Sequence, residues 1–232
     1  MAEPLVGRDA VLAAVDGHPY ARLLMGDTND ITGVRVGSTV VWLTPAGTAA
    51  CALGNAAEAV AAIPLIGDDS TRRWHLPQVG GALPVEVEFR DDWDFRWTSA
   101  PPPVRVGEER AAPVADDAAI SALLDVAFPS TMTRPGDPLV RSWWAIREGS
   151  EVVACAADRS RGGIGFLSAI AVHPDARGRG LGAAVTAALT RRLVAEFGVA
   201  ALGVMTDNVL ANTMYAALGY TSSIPRTTVG LA

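Results

Sequence analysis

AVHPDARGRGLGAA, residues 171–184, decides how the second half of the chain is read. An apolar segment, GIGFLSAIAV (163–172), leads into it, and GLGAAVTAALTRRLVAEFG (180–198) leads out with apolar residues at helical spacing. Between them stand Gly178, Gly180 and Gly182 with two arginines, Arg177 and Arg179. A strand, a turn of small residues and a helix start present free backbone N–H groups to an anion, and the helix dipole adds to the attraction. Glycine lets a ligand come close to the main chain. The spacing therefore predicts an anion site, with phosphate as the natural occupant.

Working outward, Asp116 or Asp117 can cap a helix over about 116–128. SWWAIRE and EVVACAAD read as two strands joined by a Gly-Ser turn. The segment 163–172 is a long apolar strand, and Gly198 ends the helix that follows the turn. VAALGVMT (199–206) is a further strand, and VLANTMYAALG (209–219) a short helix. YTSS and RTTVGL are expected to close the domain as a pair of strands. The triple proline at 101–103 blocks regular structure. A boundary there gives a mixed α/β domain over 1–100 and a second domain over 104–232.

The first half carries weaker signals. Helices are expected at about 8–16 and 18–24, a hairpin around Gly37-Ser38, and a helix over 55–65 capped by Asn55. LPVEVEFRDDWDFRW alternates as a strand does. No internal repeat is visible residue by residue.

Two phosphate ligands compete for the glycine turn. Gly178, Gly180 and Ala183 satisfy the dinucleotide fingerprint, and Asp207 follows the next strand. The context disagrees. Gly178 lies six positions after Val172, where the fingerprint follows its strand at once, and Asp207 lies 29 positions after Gly178, against a usual spacing of about 20. Coenzyme A is the other candidate. VHPDARGRGLG resembles the acyl-CoA loop R/Q-x-x-G-x-G/A of the GCN5-related N-acetyltransferase (GNAT) superfamily, in its FR47-like and glycine N-acyltransferase-like branch. MTDNVLANTMYAALGY (205–220) is similar to that family's second signature. The two stand in the right order, and the resemblance covers about 113–232.

The resemblance implies an α+β fold with a mostly antiparallel sheet, in which strands 163–172 and 199–206 run parallel and splay apart. The first domain would be a smaller, degenerate GNAT-like half. The implied cofactor is acetyl-CoA. Its pantetheine arm would pair with the backbone of Ile170, Ala171 and Val172. Its pyrophosphate would rest on Arg177, Gly178, Arg179, Gly180, Leu181 and Gly182. Asn208 and Ala211 complete the implied cofactor contacts, and Tyr215 is the implied acid for the leaving thiolate. Direct acyl transfer needs a neutral amine, an oxyanion stabiliser and a proton donor, but no covalent intermediate. An amide near Ile170 can polarise the carbonyl.

The general base is missing. Many relatives carry a glutamate on the strand before the CoA loop, but GIGFLSAIAV holds no acid, and Ser168 is its only polar side chain. A water held by Ser168, or Glu148 or Asp158 at neighbouring strand ends, could substitute. The alternative function is an acyl-CoA-binding module without catalysis. His173, beside the loop, and His18 and His75, in the first half, are read as structural rather than as base or metal ligands.

Composition fits this reading. All 19 basic residues are arginines, which removes lysine Schiff-base and P-loop chemistry. The net charge of −6 shows no basic face for nucleic acid. Cys51 and Cys155, far apart in apolar runs, are expected as buried free thiols. Without an 18-residue apolar run or a leader pattern, no membrane partner and a cytoplasmic location are expected. The expected acceptor is a small-molecule amine or amino acid, bound near loop 129–140 or near Trp42, Trp74, Trp93 or Trp97. Oligomeric state stays open, a homodimer included.

Overall fold

A computed structural model describes residues 2–232. They divide into two units, residues 2–95, 204–208 and 223–232 in the first and 96–203 and 209–222 in the second. The chain runs β1 (Ala2–Val6), α1 (Arg8–Ala14), α2 (Pro19–Met25), β2 (Thr32–Val36), β3 (Thr39–Leu43), β4 (Ala49–Leu53), α3 (Ala56–Ala62), β5 (Arg73–Pro77) and β6 (Val87–Thr98). It continues through β7 (Ala112–Val114), α4 (Asp117–Ala127), β8 (Ser142–Glu148), β9 (Glu151–Asp158), β10 (Gly165–Val172), α5 (Leu181–Phe197), β11 (Ala200–Met205), α6 (Val209–Ala217) and β12 (Ser222–Leu231). Among the described residues no helix is long and apolar enough to cross a membrane.

The two units repeat one topology. In the first, β1-β2-β3-β4-β5 are neighbours, antiparallel up to β4 and then parallel from β4 to β5 across α3. In the second, β7-β8-β9-β10-β11 do the same, with the parallel pair β10–β11 bridged by α5. The sheet is mostly antiparallel with a parallel pair, as the α+β reading requires.

The caps explain why the helices start where they do. Asn55 Oδ1 accepts from the amides of Ala57 (2.9 Å) and Glu58 (3.1 Å) and so closes the N-terminus of α3. Asp116 Oδ1 accepts from the Ala119 amide at 3.0 Å and starts α4. Gly198, at φ 74°, stops α5 in the left-handed conformation.

The expected closing pair of strands is not formed. Residues 222–231 are one strand, β12, and its Arg226–Gly230 stretch pairs antiparallel with Pro77–Arg73 of β5. Pro225 stands just ahead of the residues that pair with β5.

Arg226 is 1% exposed within the first unit. Its guanidinium donates to the carbonyls of Ala52 (2.8 Å) and His75 (2.7 Å) and lies 4.2 Å from the Tyr20 ring centroid. On β5, Trp74 and Leu76 enter the cluster with Val34, Val41 and Ile63. His75, on the other face, meets Thr228 at 2.9 Å. Burial, and then the charges of Arg226 and Arg73, push the His75 imidazole down to about 4. An unfolded histidine takes up its proton near 6.5. Stability is therefore full above that value and falls as pH drops towards 4, by up to about 3 kcal/mol. Urea unfolding at pH 7 and pH 4.5 checks this. His75→Gln should show a smaller loss between the two pH values than the parent.

Candidate active site

The second unit brings most of the expected site residues together. β10 pairs with β11 only from Gly165–Ala200 to Leu167–Leu202. It then runs on to Val172, so β11 supplies no ladder partner to the edge of residues 168–172. The pairing of β10 with β9 shifts register between Ser168 and Ala171. At this bulge Ala169 sits at φ 47°, in a left-handed conformation that alanine rarely adopts. Two residues there oppose one on β9 and re-aim the strand. Ala169 and Ala171 are buried against α4, and the Ala169 carbonyl accepts from the Cys155 thiol at 3.6 Å. Neither cysteine forms a disulfide, both are buried, and burial raises the Cys155 thiol to about 12. Ile170 and Val172 are half-buried on the alternate face.

The turn after β10 is exposed from Arg177 to Gly180. Gly180 caps α5 at φ 79° without a side-chain hydrogen bond, so the amides that open the helix at Leu181, Gly182 and Ala183 have no side-chain partner. A Cβ built on Gly178 or Gly180 meets nothing within 4 Å. These two glycines answer to backbone conformation and open space rather than to packing. Gly182 has a different reason, since its Cβ would meet Val172 Cγ2 at 3.3 Å and Met214 Sδ at 3.6 Å. It lets the start of α5 close on the end of β10 and on α6. Open amides, small residues and a released strand edge fit the phosphate and amide groups of coenzyme A.

The arginines are engaged. Arg179 forms a bidentate pair with Glu148, which also holds Arg110. Arg177 donates to the carbonyls of Val172 and Ala127 at 3.4 Å. The Arg179 and Arg110 guanidiniums hold the Glu148 carboxyl below its usual range, which makes it a poorer base than an ordinary glutamate. Asp158 is 5% exposed and accepts from Ser160 and from Arg141 (3.2 Å). Both carboxylates that could replace the missing glutamate are thus already partnered. His173 caps the short turn after β10, its Nδ1 accepting from the Asp175 amide at 3.3 Å.

Ser168 is half-buried, and its Oγ lies 3.0 Å from the Oγ1 of Thr133, which is 3% exposed. Sequence reasoning missed Thr133. It stands in the loop 129–140 singled out for the acceptor, but nothing local ties it to Ser168.

Tyr215, on α6, is 6% exposed, and its ring lies edge-on to Tyr220 at 6.1 Å. Tyr220 is anchored to Thr190 Oγ1 at 2.7 Å. Burial raises its proton affinity well above that of an ordinary tyrosine, so it stays protonated at neutral pH. Ala211, half-buried, lies in the first turn of α6. Asn208 falls in the segment 204–208 grouped with the first unit, where its amide donates to the Met205 carbonyl at 3.1 Å.

Residues 145–229 match the model of the FR47-like protein family. A GNAT-family protein from Novosphingobium aromaticivorans superposes with a TM-score of 0.59 at 17% identity, over 95% of this chain and 96% of its own. An acetyltransferase of the GNAT family from Colwellia psychrerythraea gives a TM-score of 0.57 at 11% identity, over 100% of both chains. A Drosophila protein gives 0.56 at 15% identity, over 97% of this chain and 86% of its own. No curated protein sequence matches the chain. The fold is the GNAT fold. Residues 145–229 match the FR47-like family model, and the chain shares its fold with these GNAT-family structures.

Proposed function

We propose that the protein is an acetyl-CoA-dependent N-acyltransferase that moves an acyl group directly to the primary amine of a small molecule or amino acid. The observation that carries this reading is the pairing of a released β10 edge with an uncapped, glycine-lined start of α5. Bound acetyl-CoA would supply an activated acyl carbonyl. The amides that open α5 at Leu181 and Gly182 would hold the pyrophosphate, and Arg177 and Arg179 would join them on leaving their present partners, the Val172 and Ala127 carbonyls and Glu148. The backbone of Ile170–Val172 holds the pantetheine arm, helped by Ala211. The Ile170 amide polarises the thioester carbonyl. The amine nitrogen forms the new bond to carbon as the carbon–sulfur bond breaks. Tyr215 gives its proton to the sulfur. The amine's proton leaves through water held at the Ser168–Thr133 hydroxyl pair.

The same topology in the first unit supports reading it as a degenerate GNAT-like half. There the turn between β4 and α3 is only Gly54-Asn55, and the Asn55 side chain occupies the amides that the second unit leaves open. That half has no place for a pyrophosphate.

A thermal-shift comparison of acetyl-CoA with NADPH tests the cofactor. Ligand at 100 times its dissociation constant adds about 2.7 kcal/mol, a rise of roughly 5–10 °C for a chain of this size. A rise with acetyl-CoA alone is expected, and none would overturn the reading. Binding without thiol release across an amine panel would favour the non-catalytic module, which the partnered states of Glu148 and Asp158 also suit.

A further inference from the structure

The anion turn of the second unit carries an anion of its own. Arg179 grips Glu148, at the end of β8, with both guanidinium nitrogens, Nη1 to Oε2 at 3.0 Å and Nη2 to Oε1. A partly exposed ion pair contributes little unless it is bidentate or belongs to a network. This pair is both, because Arg110 Nη2 reaches the same Oε1 at 3.3 Å.

Two features suit the pair to exchange rather than to permanent support. Gly178 and Gly180, on either side of Arg179, pack against no neighbour, so the turn leaves Arg179 able to change partners. Arg110 also donates to the Arg147 carbonyl at 3.1 Å. That bond keeps a guanidinium beside Glu148 when Arg179 leaves, so the carboxylate gives up one cation and retains the other. A guanidinium at the positive end of a helix is unfavourable alone and needs an anion beside it. Glu148 supplies one, and a phosphate would supply another. A phosphate held bidentately competes for the same nitrogens, and two anions side by side repel. We propose, on the coenzyme A reading above, that Glu148 is an autoinhibitory latch: it holds Arg179 in place of a phosphate, and coenzyme A binds by displacing it onto Arg110 alone. Apparent affinity is then reduced by the fraction of molecules in which Arg179 is released.

Calorimetric titration of the full chain with coenzyme A tests the latch. Glu148→Gln keeps the size of the side chain, removes its charge, and should tighten binding about three- to tenfold. Arg179→Gln should weaken binding, and in that background Glu148→Gln should change affinity by less than about twofold. Glu148→Asp keeps the charge but is one methylene shorter, so it should show part of the tightening. It decides the matter even where Arg179→Gln binds too weakly to measure. Binding to Glu148→Gln no tighter than to the parent overturns the latch, and weaker binding would make the pair a support of the turn. Full tightening in the Arg179→Gln background, or Glu148→Asp binding like the parent, also overturns it. Glu148 would then act as a repelling charge and not through Arg179. No binding to the parent or to Glu148→Gln removes the cofactor reading itself, and the latch with it.

Discussion

Tyr215→Phe should lower turnover with a competent amine by about 10²- to 10⁴-fold, the range that a positioned general acid contributes. Thermal stability should barely change. The ring that packs on Tyr220 is retained. Affinity for acetyl-CoA should hold within a few-fold, so the loss falls on kcat. Leaving-group dependence sharpens the test. A thioester with a more acidic thiol needs its proton less, and should recover part of the lost rate in the variant. Unchanged turnover would remove Tyr215 from the chemistry and leave it as a core aromatic.

Gly180→Val should weaken acetyl-CoA binding by at least about 100-fold, or roughly 2.7 kcal/mol. Two effects act together. At φ 79° a side chain is strained by about 1–2 kcal/mol, and the turn relieves that strain by leaving the conformation that opens its amides. The new Cβ also enters the space over the amides that open α5. Gly198→Val is the control. Gly198 has φ 74° at the other end of the same helix, and its Cβ likewise meets nothing within 4 Å. It carries similar strain but lies away from the turn, and should leave acetyl-CoA affinity unchanged. Calorimetric titration of both variants separates the outcomes. Equal affinities would make 177–182 a structural turn and reopen the functional reading.

Much of the second unit was legible because its signals are local. Asp116 and Gly198 mark helix ends by their own chemistry, and the glycine turn marks the start of α5. The parts that stayed hidden depend on distant partners. β4, AACAL, is a short run of small apolar residues without alternation, and β5, RWHLP, gains its place by pairing with β4 and β12. The bulge at Ala169 leaves no trace in sequence, because no glycine announces its positive φ. Thr133 reaches Ser168 across 35 residues.

The return of β12 to the first unit bears on how the chain is made. Residues 223–232 belong to that unit, yet the ribosome produces them after all of 96–222. When residues 2–95 have emerged, the edge of β5 still lacks the strand that pairs with it. The first unit is held incomplete throughout synthesis of the second, with an open strand edge of the kind that invites wrong pairing. Domain-by-domain folding from the N-terminus is therefore closed to this protein, because the pairing of β12 with β5 must wait until residues 223–232 have emerged.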